Sequence, residues 1–244
     1  MTPPGGVEGV ERILVVTAHP DDVDFGAAGS IAAWTAQGRD VTYCIATDGD
    51  AGGHDLDVPR ADIPAIRRAE QTAAAKEVGV HDLVWLGYPD GQLTASLALR
   101  RDIARVIRQV RPQRVLTSWA ERNWARIFAS HPDHMAVGEA TMCAVYPDSR
   151  NPFAFPELAS EGLEAHVVDE VWMMGATTAD TFVDVTDTFD RKIAALRRHA
   201  SQLDPGADVA GFLRGWLEAQ GQAAGFELGR LAEAFLRVDT SERG

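Results

Sequence analysis

The chain has 244 residues, with 23 Lys and Arg against 36 Asp and Glu, a formal net charge of −13. That balance argues against nucleic acid or an anionic membrane as the main partner. Hydrophobic residues at 45% and charged residues at 24% fit a globular protein with enough chain to bury a sizeable core.

Residues 1–10, rich in Gly and Pro, read as a loose leader, with neither the basic nor the apolar segment of a secretory signal. A cytoplasmic protein without membrane insertion is therefore expected. The first strand is the short β-branched run Ile13-Leu14-Val15-Val16, whose unbroken apolar character suits a parallel sheet covered on both faces. It runs straight into Thr17-Ala18-His19-Pro20-Asp21-Asp22, so three ionisable side chains follow a strand's carboxyl end, where open α/β sheets build their sites. An Ala-rich helix opens at Gly26-Ala27-Ala28-Gly29-Ser30 and closes before Gly38, a C′ residue. The two glycines allow its start to approach the sheet and turn backbone N–H groups toward an anion, although the spacing is not a dinucleotide fingerprint.

A second strand, Val41 to Ala46, ends in the acidic, glycine-rich loop Thr47 to Asp55. A helix from Ile63 to Val78 is expected to bury Ile66, Ala69, Ala73 and Val78. Then come a strand at Asp82–Gly87 with the turn Tyr88-Pro89-Asp90-Gly91, a helix at Leu97–Val110 ended by Pro112, and a strand at Arg114–Trp119. A helix from about Met135 to Val145 follows Ser130-His131-Pro132-Asp133-His134. After an irregular excursion with Pro147, Pro152 and Pro156 come strands at Val167–Met174 and Thr181–Val185, a helix at Asp187–His199, and a largely helical tail from Phe212 to Leu236. The alternation implies a Rossmann-like α/β fold, a mostly parallel twisted sheet flanked by helices on both faces. With no repeat or linker, residues 1–244 read as one domain. Cys44 and Cys143, at no metal or redox spacing, read as free thiols.

A lone His-x-x-Asp or His-x-x-His is weak, because turns favour such residues for backbone reasons. Here both follow parallel strands and so open onto one end of the sheet. Together they supply two imidazoles and a carboxylate with more to spare, a catalytic rather than structural zinc arrangement. A cation-binding sugar or nucleotide module is the non-catalytic alternative, weakened in its nucleotide form by the missing phosphate-cradling glycines.

Ala18-His19-Pro20-Asp21-Asp22 with His131-Pro132-Asp133-His134 resembles the zinc-dependent de-N-acetylases of the PIG-L (LmbE-like) family. Arg67 and Glu70, Tyr88-Pro89-Asp90-Gly91, Lys192 and His199-Ala200-Ser201-Gln202 stand in family-like order, so the resemblance runs from about Ile13 to Gln202. It implies a single LmbE-like deacetylase domain that removes an N-acetyl group from an N-acetylglucosamine-type sugar or conjugate by attack of a zinc-bound water. The alternative within that chemistry is an amidase on another substrate, such as a mycothiol conjugate. The resemblance makes His19, Asp22 and His134 the ligands of Zn²⁺ (or another divalent ion such as Fe²⁺) and Asp21 the general base. It makes His131 the donor to the oxyanion or the leaving amine, with Asp133 orienting His131 and favouring its charged form.

Arg67 and Asp90 are candidate substrate contacts, against the plainer readings of a solvated Arg–Glu helix face and a Pro-Asp-Gly turn. Asp48, Asp50 and His54 are weaker candidates for a sugar pocket, and His199 reads as a buried, hydrogen-bonded support. His81 and His166 are expected at the surface, and the tryptophans in the core, with Trp119 and Trp124 as cleft candidates. The partner implied is a small amino-sugar substrate, with a homo-oligomer left open. The segment Ala120–Ser130 departs from the family pattern, and its role is left open.

Overall fold

The computed structural model describes residues 9–127, 130–204 and 206–241, so most of the expected leader lies outside the described residues. The apolar run at Ile13 becomes β1 (Arg12–Thr17), the middle of a seven-stranded sheet. Parallel to it on one side lie β2 (Asp40–Thr47) and then β3 (Asp82–Tyr88), and on the other β4 (Arg114–Ser118) and then β5 (Glu170–Met174). The sheet continues through β7 (Ala232–Asp239), antiparallel to both neighbours, and ends at β6 (Thr181–Asp184). The chain leaves β1 in one direction for β2 and β3 and in the other for β4 and β5. The β1/β4 junction is thus the topological switch point where such sheets carry their sites.

Alternation along β1 sorts the core. Ile13 and Val15 face α2 (Ala28–Ala36), α3 (Ile63–Glu77), α7 (Phe189–Leu196) and α8 (Val209–Ala223). Leu14 and Val16 face α4 (Leu97–Val110) and α5 (Pro132–Cys143). Both faces are covered, as the mostly parallel Rossmann-like reading requires. The apolar residues Leu99, Ile103, Val106 and Ile107 of α4 and Phe189, Ile193 and Leu196 of α7 are buried, while Val110 is half-buried. The helix expected from Gly26 is α2, and a separate short helix, α1 (Asp22–Gly26), precedes it and ends at Ala27. A short helix, α6 (Pro156–Ser160), stands in the irregular excursion.

Two expectations are corrected. On α3 the buried residues are Arg67, Gln71, Ala74 and Ala75, and of the expected stripe Val78, just past the helix end, is buried while Ile66 is 37% exposed. The inward stripe is one position out of step with the apolar pattern, because this helix turns polar side chains toward the loop after β1. The tail is helical only to Ala223. Gly225 and Gly229, at φ 77° and 85°, end the helix and turn the chain into β7. The strand's alternation was masked by small Ala232 and Ala234 and by Glu233, a charge that is buried.

Glu233 occupies the start of α2. Its carboxylate accepts the backbone N–H of Gly29 (3.0 Å) and Ser30 (2.7 Å), so the anion at this helix N-terminus is the chain's own. A Cβ at Gly29 would stand 2.7 Å from the branched Cβ of Val185, an approach glycine permits, and one at Gly26 would displace the Met174 side chain, whose Sδ would lie 2.6 Å away. Lys192 completes the latch, donating to Glu233 at 2.7 Å and to the carbonyls of Asp24 and Phe25 at 2.9 and 2.6 Å. We propose that the described residues form one domain, since β7 from the far end of the chain sits inside the sheet. Lys192→Met is expected to destabilise the protein by roughly 3–5 kcal/mol, because it strands a buried carboxylate. Urea unfolding measures this, and an unchanged midpoint would show the pair to be dispensable.

Candidate metal centre

The loop after β1 and the start of α5 meet above the carboxyl ends of β1 and β4. Asp22 is the first residue of α1, and its Oδ2 accepts the N–H of Ala18 (3.1 Å) and His19 (2.8 Å), folding the loop back on itself. Its Oδ1 lies 2.9 Å from His134 Nε2. His19 Nδ1 lies 3.2 Å from the same His134 nitrogen and 3.6 Å from Asp22 Oδ2. Three ligand-type groups from positions 115 residues apart in sequence therefore converge within 3.6 Å. Gly138, one turn beyond His134, lets α5 come this close, because a Cβ there would stand 2.3 Å from the Ser118 carbonyl at the end of β4.

The far side of the His19 ring is held by acids. Its Nε2 is 2.9 Å from Asp90 Oδ1 and 3.2 Å from Asp133 Oδ2. Asp90 also accepts the Ala51 N–H, and Asp133 accepts the N–H groups of Gly91 and Leu93. In the neutral ring, Nε2–H donating to carboxylates leaves Nδ1 to ligate, the pairing that orients a metal-binding imidazole. Burial opposes charge on His19, but Asp22 and Asp90 outweigh it and push the ring up to about 11. Burial opposes charge on His134 as well, and Asp22 again raises it. Asp22 is driven the other way: burial favours its neutral form, yet the His134 charge holds it well below the usual carboxylate range. Buried acids that hold protons on two imidazoles make a pocket that demands positive charge, and its N,N,O donor set is one that zinc accepts.

Asp21, beside the ligand set, is in the left-handed region at φ 86°. Burial and then the charge of Asp22 push its carboxyl up to about 7. His131 caps α5, its Nδ1 accepting the Asp133 N–H at 3.2 Å, and a ring nitrogen lies within 4.8 Å of those on His19 and His134. Burial, then His19 and His134, lower its pKa.

Several expectations are revised here. Asp133 bonds His19 and two backbone N–H groups rather than His131, which it meets only through its own backbone N–H, and His131 is held below, not above, its ordinary pKa. Arg67 is buried, not solvated, and donates to the Pro20 carbonyl (2.6 Å), the Asp21 carboxylate (3.1 Å) and the Gly49 carbonyl (3.1 Å). Its guanidinium is spent on the loop, because the stripe of α3 that bears it faces inward. Asp90 grips His19, so its role exceeds the Pro-Asp-Gly turn. Asp48 pairs with Arg68, Asp50 with Arg60 and the Asp90 N–H, and His54 with the Gln202 carbonyl, which ties down the loop after β2.

His199 is buried and bonded to Asp24, as expected. His81 is exposed, but His166 is half-buried with its ring on the Pro112 carbonyl. Trp34 and Trp172 are core, Trp119 is half-buried, and Trp124 is 83% exposed. In the 120–130 segment, Asn123 N–H donates to Ser130 Oγ at 2.7 Å, and the Arg126 guanidinium lies 5.9 Å from the Trp216 ring. Asp24 and Gln71, hydrogen-bonded at 2.8 Å, were not singled out from the sequence. The available signal was that Gln71 lies four residues after Arg67 and hence on the same helix face. Cys44 and Cys143 are free thiols, and among the described residues no helix is long and apolar enough to cross a membrane.

The PIG-L family profile, described as GlcNAc-PI de-N-acetylase, matches residues 14–145. The diacetylchitobiose deacetylase of Thermococcus kodakarensis is 31% identical over 195 residues, covering 79% of this chain and 70% of that one. The probable N-acetyl-alpha-D-glucosaminyl L-malate deacetylase 2 of Bacillus cereus is 33% identical over 200 residues, covering 79% and 84%. Among solved structures, the N,N'-diacetylchitobiose deacetylase of Pyrococcus horikoshii, complexed with an inhibitor, superposes with a TM-score of 0.88 at 27% identity, covering 96% of this chain and 86% of that one.

The geometry makes His134→Ala a direct test of the ligand set. The variant is expected to lose its bound divalent ion on dialysis, read by elemental analysis. A full equivalent retained would remove His134 from the set.

Proposed function

The chain belongs to the PIG-L family and is an N-deacetylase, and we propose that it hydrolyses the acetamide of an N-acetylglucosamine-type sugar or sugar conjugate. The convergence of His19 Nδ1, His134 Nε2 and the Asp22 carboxylate, with Asp21 adjoining, carries this reading. His19, Asp22 and His134 would hold one divalent ion, for which we propose zinc. When bound, such an ion lowers the pKa of a coordinated water to about 7 and polarises the acetamide carbonyl.

Asp21 is the general base in this proposal. Arg67 fixes its carboxylate from behind, and Asp21 takes the proton of the attacking water and returns it to the departing amine as the C–N bond breaks. His131 is the oxyanion donor. Because Nδ1 already accepts the Asp133 N–H, a neutral ring carries its proton on Nε2, and that N–H stabilises the negative oxygen of the tetrahedral intermediate. Asp90 and Asp133 act through His19 by fixing its ring. The partner proposed is a small amino sugar, with diacetylchitobiose and N-acetylglucosaminyl malate as the first compounds to try, from the names of the relatives.

Asp21→Asn is expected to keep its metal while turnover falls by about 100-fold or more, in line with the loss of a general base. Primary-amine release across a panel of N-acetyl sugars and conjugates measures this, and turnover at the parent rate would overturn the base assignment. Chelation is expected to abolish amine release and added Zn²⁺ to restore it. Activity that survives complete metal removal would overturn the metal-dependent reading.

A further inference from the structure

We propose that Gln71 is a positioning residue for the reaction, acting through the backbone of Asp21. The inference rests on the reading of Asp21 as the general base. Asp21 holds φ 86° and ψ −26°, a left-handed conformation that is unfavourable for a residue with a Cβ and persists only where its surroundings enforce it. Its carbonyl accepts the N–H groups of Asp24 and Phe25, opening α1, and its N–H donates to Gln71 Oε1 at 2.7 Å. With that carbonyl held by α1, turning Asp21 out of the left-handed region would swing the preceding peptide plane, re-aim the N–H and break the bond.

The Gln71 amide is locked in the orientation this requires. Its Nε2 donates to Asp24 Oδ2 at 2.8 Å, and the same oxygen accepts from His199 Nε2 at 2.8 Å. A carboxylate only accepts, so the amide must turn its nitrogen to Asp24 and its oxygen to Asp21. Gln71, Asp24 and His199 are all fully buried, and Lys192 pins the Asp24 carbonyl. Gln71 and Arg67 are four residues apart on α3 and grip one residue in two ways: Arg67 takes the carboxylate, Gln71 the main chain. The direction in which the Asp21 side chain leaves the loop is thereby set from α3 and α7, elements that carry none of the proposed ligands.

The test combines Gln71→Leu, which removes the acceptor, with Gln71→Glu, whose buried carboxyl keeps an acceptor oxygen and, protonated against Asp24, a donor. In metal-stripped, ¹⁵N-labelled protein, hydrogen exchange at the Asp21 amide is expected to speed up by about tenfold or more in Gln71→Leu and to stay near the parent rate in Gln71→Glu. In the zinc-loaded enzyme, kcat on the best N-acetyl substrate is expected to fall by about 10- to 100-fold in Gln71→Leu, with KM and bound metal within about twofold of the parent. Gln71→Glu should recover most of that loss. In the Asp21→Asn background, Gln71→Leu should cost less than about twofold more, since it acts through Asp21.

Unchanged exchange at Asp21, an equal loss of kcat without the Asp21 carboxylate, or a loss confined to KM or metal content would each overturn the proposal. Should Gln71→Leu fail to fold, the unbranched Gln71→Met is read in the same way. If no N-acetyl compound releases amine, the proposed function fails, while the exchange measurement still decides whether Gln71 holds the Asp21 backbone.

Discussion

The imidazole of His19 is held from both sides, and the arrangement of the site follows from that grip. On one edge, Asp90 and Asp133 accept from Nε2, and on the other Nδ1 faces Asp22 and His134. A neutral ring that donates at one nitrogen offers a lone pair at the other, which is the condition for ligating a cation. The two acids that impose this come from separate elements, the turn after β3 and the first turn of α5. The correct His19 orientation therefore depends on β3, β1 and β4 all ending at one edge of the sheet, with β2 between the first two. The sheet order β3-β2-β1-β4 supplies that adjacency.

Concentrating buried acids at one sheet edge is costly unless each is bonded. Each such group finds partners that also shape the backbone. Asp133 accepts two N–H groups of the Gly91–Leu93 turn, Asp90 and the loop after β2 exchange bonds through Asp50 and Ala51, and Asp24 binds Gln71 and His199. Glu233 takes the α2 N-terminus and Lys192, whose ammonium in turn caps the carbonyls of α1. Desolvation is offset by hydrogen bonds to the very loops that must be rigid, so satisfying the charges and fixing the site are one event.

Arg67 and Asp90 illustrate how a residue's position in sequence under-specifies its work. Each stands where a substrate contact was expected, yet both point at the protein. Arg67 is drawn in because Pro20, Asp21 and Gly49 present two carbonyls and a carboxylate to a planar fork of donors. Asp90 is drawn to the Nε2–H of His19. For both, the unpaired partner decided the outcome, and no local pattern records an unpaired partner.

What the sequence by itself determined is the local chemistry. The Ile13–Val16 run dictated a doubly covered strand, the alternation of strands and helices a mostly parallel sheet, and the two His- and Asp-bearing turns their exit at one sheet edge, because side-chain period and turn propensity are properties of neighbouring residues. Only the tertiary structure decided what depends on distant ones. It turned the polar stripe of α3 inward, made a strand of 232–239 by burying Glu233 against Lys192, and chose His19 rather than His131 as the partner of Asp133. Such choices are made by which buried donor meets which buried acceptor, and that pairing exists only once the chain is packed.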